Sequence, residues 1–89
     1  MSEPEAPRLE YPCDYPIKVV GLNAPDFTHM VVEIVRRHDA GFDAARVALR
    51  ASSNDKYLSV TVVITATGPE QIAALFADLK ASGRVQMVL

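Results

Sequence analysis

At 89 residues the chain has room for one domain with one modest core, because so short a chain buries only about 60–65 % of its unfolded surface. Eleven acids against nine lysines and arginines give a net charge of −2, which argues against the basic excess of a general nucleic-acid binder. A single cysteine, Cys13, excludes a disulfide framework and a thiolate metal cluster, and no apolar run approaches the ~20 residues of a membrane span.

The chain opens on MSEPEAPRLE, which has acids and prolines where a secretory leader needs a basic and then an apolar segment. A cytoplasmic protein is therefore expected. Pro4, Pro7 and Pro12 among Glu3, Glu5 and Glu10 read as a flexible tail over residues 1–13, with the folded domain over 14–89.

From Tyr15, YPIKVVGL reads as a first strand, with Ile17 and Val19 on one face, Lys18 and Val20 on the other, and Gly21 as its end. Asn23 is placed as an N-cap, with Pro25 in the first turn. The helix that follows carries Phe27, Met30, Val31, Ile34, Val35 and His38 along one face. Arg36, Arg37 and His38 suit its negative C-terminal end, and Gly41 stops it. AARVALRAS reads as a second strand and SSND as a turn. KYLSVTVVITAT gives the clearest alternation in the chain. Leu58, Val60, Val62 and Ile64 form one face; Tyr57, Ser59, Thr61, Val63 and Thr65 form the other. Thr67-Gly68-Pro69-Glu70 predicts a capping box. Ile72, Leu75, Phe76 and Leu79 follow at i, i+3, i+4 and i+7, and Gly83 closes that helix. The chain finishes on RVQMVL, strand material in which Val85, Met87 and Leu89 are expected beneath the helices.

Two strand-helix-strand halves predict an α+β, ferredoxin-like βαββαβ sandwich. Its four-stranded antiparallel sheet would have the order 4-1-3-2, with both helices on one face, as in ACT domains.

Chemistry is sparse. CxxC, HExxH, P-loop and GxGxxG patterns are absent. His29 and His38 lie too far apart to share a turn of a metal site. Ser52 and Ser53 fit turn chemistry. No catalytic residue, metal site or cofactor is assigned, and the protein is read as non-enzymatic. Two places carry binding expectations. The open face of the sheet would gather Lys18, Arg46, Arg50, Tyr57 and Arg84, four of the nine basic residues with one aromatic. Such a face suits an anionic ligand or an acidic protein surface, and equally the ordinary polar exterior of an open sheet. RNA recognition on that face would need more aromatics than Tyr57. The second place is GLNAPDF, where Gly21, Asn23, Pro25 and Asp26 resemble the ligand loop of amino-acid-sensing ACT domains, roughly G-x-D-x-P-G and an apolar residue. Asp26 stands where that pattern has its second glycine. A capped helix start accounts for the same residues.

LEYP, KVVG, VVEIVRRH, SSNDKYLSVTVVITAT and the final VQMVL together resemble the YbeD-like family of small bacterial proteins, over residues 9 to 89. The resemblance implies a ferredoxin-like, ACT-like fold and brings no catalytic residues. Some members of that family carry a label connecting them with lipoate regulation. The expected role is a regulatory or adaptor module that contacts an unidentified protein partner, with a homodimer as one arrangement. The alternative is a small-ligand sensor taking an acid or amino acid at the loop after the first strand.

Overall fold

The computed structural model describes residues 10–89. Most of the expected tail, residues 1–9, lies outside that range. Strand β1 (Cys13–Leu22) begins two residues before the expected Tyr15 and takes in Cys13. Helix α1 (Phe27–His38), strands β2 (Val47–Ala51) and β3 (Tyr57–Ala66), helix α2 (Pro69–Ala81) and strand β4 (Val85–Val88) follow. Ala44–Arg46, expected as the start of β2, instead forms a short 3-10 turn capped by Asp43, whose Oδ1 accepts from the Ala45 amide at 2.9 Å.

The sheet order is β2-β3-β1-β4, which is 4-1-3-2 read from the other edge, and every pairing is antiparallel. The two central strands supply the most regular alternation. Ile17, Val19, Val60, Val62 and Ile64 are fully buried against Phe27, Val31 and Val35 of α1 and Leu75 and Leu79 of α2. Phe42, in the connection after α1, joins this core at 6 % exposure. No periodic neighbour marks it in the sequence.

Gly21 does not end β1; the strand runs on to Leu22. A Cβ at Gly21 would lie 2.5 Å from the Arg84 carbonyl oxygen and 2.6 Å from the Phe27 ring. The residue is glycine because α1 and the approach to β4 both press on its bare backbone. Beside it, the β1–β4 register slips. Val19 faces Val88 and Val20 faces Met87, but Gly21 faces Val85, leaving Gln86 as the extra residue of a bulge. Val85 packs against the core as expected, and the bulge reverses the expected alternation beyond it. Val88, not Met87, lies on the helix side. Met87, opposite Val20, lies on the open side. So does Leu89, which exchanges backbone hydrogen bonds with Lys18 at 2.9 and 3.0 Å.

The helix termini also differ from expectation. Asp26, not Asn23, occupies the N-cap position of α1, and no side chain caps it. At α2, Gly68 is the N-cap residue. Gln71, rather than Glu70, reaches back, accepting from the Thr67 amide at 2.7 Å and donating to the carbonyls of His38 at 2.7 Å and Thr65 at 3.2 Å. One amide side chain thus ties the ends of β3 and α1 to the start of α2.

The bulge makes two neighbouring substitutions unequal. Val88→Asp should strip the domain of most of its stability, since it drives an unpaired carboxylate under the helices. Met87→Lys should change stability by no more than about 0.5 kcal/mol. Urea unfolding of both variants measures this, and a reversed order would place Met87 inside.

Candidate functional site

The residues expected to form a basic sheet face divide into two groups. Lys18 and Arg50 lie exposed on the open side, with half-buried Tyr57, and Lys56 stacks its ammonium 5.4 Å from the Tyr57 ring centre. Arg46 is committed to Asp14, at 3.0 and 3.2 Å. Arg84 leaves the face altogether. Its guanidinium grips Asp26 through two bonds of 2.7 and 2.9 Å and lies 6.0 Å from the Phe27 ring centre. Each arginine holds its partner's carboxyl below the ordinary aspartate range, chiefly by hydrogen bonding, and each carboxylate raises its arginine in return.

What the pairing removes in charge, the bulge replaces with apolar surface. Leu22 is 50 % exposed, Met87 50 % and Leu89 64 %. Val20 lies between them, opposite both Met87 and Ser59, and Leu22 faces Tyr57. The open side therefore offers an apolar patch at the β1–β4 margin with Lys18 beside it, instead of a cationic field. Met87 and Leu89 could not be found from alternation alone, because the bulge depends on a pairing across the whole chain.

The loop resembling an ACT ligand site is occupied by the protein's own contacts. Gly21 is covered by Phe27 and the Arg84 carbonyl. Asn23 donates its side-chain amide to the Asp55 carbonyl at 3.1 Å and its backbone amide to Lys56 at 2.9 Å, which fastens the loop to the β2–β3 turn. Asp26 is held by Arg84, and Pro25 is exposed. A cavity of about 230 Å³ nevertheless adjoins this loop, lined by Leu22, Ala24, Gly83, Arg84 and Gln86.

A shallow groove of about 370 Å³ runs between the helices past Met30, Ile34, Arg37 and Asp78. His38 Nε2 lies 2.7 Å from Asp78 Oδ2, joining α1 to α2, with the His38 ring 17 % exposed. Ser82, also in the groove, directs its hydroxyl to the Leu79 carbonyl at 2.6 Å and accepts from the Arg84 amide at 3.2 Å. These contacts fasten helices and their ends; they do not assemble a nucleophile with a base. Among the described residues no cluster of three His, Cys, Asp or Glu could hold a metal, and no helix is long and apolar enough to cross a membrane.

Residues 6–89 match the family described as "Protein of unknown function (DUF493)". A "UPF0250 protein" of Hahella chejuensis is 51 % identical over 88 residues, covering 99 % of this chain and 97 % of its own. One from Azotobacter vinelandii is 48 % identical over 89 residues with the same coverage. Among solved structures, protein HP0495 from H. pylori superimposes with a TM-score of 0.77 at 19 % identity, covering 96 % of this chain and 89 % of that one. The ACT domain from GTP pyrophosphokinase of Chlorobium tepidum gives 0.65 at 17 % identity, over 85 % and 84 % of the two chains. At these identities the two structures share the fold.

The Asp26–Arg84 pair predicts an acid dependence of stability. A carboxyl depressed in the folded state stabilises it above the ordinary value of 3.8, and that contribution disappears as the pH falls through the lower folded value. The melting temperature of Asp26→Asn should therefore fall less steeply than that of the parent chain below pH about 3.8. Parallel melting curves between about pH 6 and about pH 2, the acid range over which such a carboxylate gains its proton, would show that the pair contributes nothing.

Proposed function

We propose that this chain, which belongs to the DUF493 family of small bacterial proteins, is a non-enzymatic binding module that acts by protein–protein contact through the open face of its sheet. The observation that carries this reading is the exposed patch of Leu22, Met87 and Leu89 on a face that the helices leave uncovered. Exposed large apolar side chains gathered on one face mark contact surfaces more often than scattered ones do. Lys18 beside the patch and Arg50 on the far strand add positive charge, so the partner is a protein surface with an apolar centre and acidic margin. Such a partner fits a regulatory or adaptor role, and the protein works in the cytoplasm under this reading.

A second reading is a small-ligand sensor. The cavity beside Leu22, Ala24 and Arg84 favours it, together with the ACT-like fold. A small acid there would have to draw Arg84 from Asp26, so binding and release of that ion pair would be coupled. Amide NMR titration with amino acids and lipoate tests it: shifts confined to residues 21–27 and 83–86 support the sensor, and an unchanged spectrum removes it.

The contact reading is tested in the protein's own host with a photo-crosslinking residue at Met87 or Leu22, and at Glu33 on the helix side as the control. A discrete adduct with one other protein should form from the two sheet positions and not from Glu33. Adducts from Glu33 alone, or from no position, would overturn the assignment of the open face.

A further inference from the structure

The positive charge of the open side is gathered along one border of its apolar patch. Arg50, opposite Ser59, and Lys56, stacked on Tyr57, lie toward β2. Across the other border, on the β4 side, lie Gln86 and Arg84, whose guanidinium is taken by Asp26. Among the described residues neither Arg50 nor Lys56 nor Lys18 is in an ion pair, and Asp14, the one carboxylate on the open side of the strands, is held by Arg46. Leu49, 56 % exposed, stands on the helix side of β2 and does not extend the patch.

The patch itself is a stripe. Leu22, Val20 and Lys18 follow one another along β1 at intervals of about 6.7 Å, over about 13 Å in all. On β4, Met87 stands beside Val20 and Leu89 beside Lys18. Ser59 and Thr61, short and half-buried, form a low shelf between this stripe and β2. A segment laid on a sheet face meets side chains and finds no backbone groups to pair with, so it must satisfy its own N–H and C=O groups. An α-helix does so internally, and its apolar stripe advances about 5.4 Å per turn, close to the spacing along β1.

We propose that the open face takes an amphipathic helix of a partner protein. The helix lies along β1, with an apolar stripe of about two to three turns over Leu22, Val20, Met87 and Leu89. Its acids lie on the single flank that faces Arg50 and Lys56. This rests on the contact reading above and gives its partner a shape and a polarity. An anionic membrane would present charge all around the patch, whereas Arg50 and Lys56 border it on one side only.

Three synthetic peptides of about 18 residues, about five helical turns, test this by amide NMR on the full chain. The first carries leucines at i, i+4, i+7 and i+11 with glutamates along one flank. The second has lysine for every glutamate. The third has the composition of the first, with apolar and polar residues alternating. The first should shift the amides of Val20, Leu22, Ser59 and Met87 and bind at least about tenfold more tightly than the second. Arg50→Glu should abolish that preference, and Met87→Glu should weaken binding of the first peptide at least about tenfold. A third peptide that binds as tightly as the first overturns the helix. Shifts centred on Met30 and Ile34 between the helices, or no shift with the first peptide at about 1 mM, overturn the site. Flotation with phosphatidylglycerol vesicles, without binding of the first peptide, overturns the proposal in favour of a membrane. Failure of the peptides leaves any crosslinking from Met87 or Leu22 intact, so the helix and the contact reading fail separately.

Discussion

The contact of Phe27 with the bare backbone of Gly21 organises this molecule. Three elements meet there: the end of β1, the first residue of α1 and the approach to β4. Both the aromatic ring and the Arg84 carbonyl occupy space that any Cβ would need. The slip in β1–β4 register falls at this position, and from it follow the outward turn of Met87 and the inward turn of Val88. Arg84, brought beside Phe27, then reaches across the ring to Asp26. A packing constraint in the core thus decides which side chains the surface presents.

The same constraint changes the character of the open face. Taken one by one, Arg46 and Arg84 are exposed cations on or near outer strands. Folding gives each a carboxylate from far along the chain, Asp14 for one and Asp26 for the other. Exposed ion pairs of this kind contribute little to stability. Their larger effect is on the character of the surface, since they withdraw positive charge from a face that the bulge makes more apolar. Under the proposed reading, a partner for that face would be selected by shape and apolar area first, and by Lys18 and Arg50 second.

The likeness to HP0495 and to an ACT domain is one of backbone layout. One sandwich serves many roles because its helix layer and sheet can stay fixed while loops and edges vary. In this chain the loop after β1 is filled by Arg84, Phe27 and Asn23 holding neighbouring elements. The free groups lie on the open sheet face. Surfaces available for contact are therefore distributed over the sheet, whereas the helix layer is occupied with its own ties, among them His38–Asp78 and the three-way bond of Gln71.

By itself the sequence determined the order of strands and helices, the buried face of each central strand and the handed topology that puts β1 and β3 in the middle. Those features rest on local periodicity: Val60, Val62 and Ile64 alternate inward, and Val31, Ile34 and Val35 share a helical stripe, whatever the rest of the chain does. Only the tertiary structure decided what depends on two distant segments meeting. Gln86 becomes a bulge residue beside the crowded Gly21 site, so the alternation in RVQMVL holds at Val85 and points the wrong way from Met87 on. Gln71 takes the place expected for Glu70 because the carbonyls of His38 and Thr65 arrive within its reach. Leu49 has the pattern of a core residue yet stands in solvent because β2 is the outermost strand. Periodicity tells a side chain which face it occupies; only neighbouring strands and helices decide whether that face is covered.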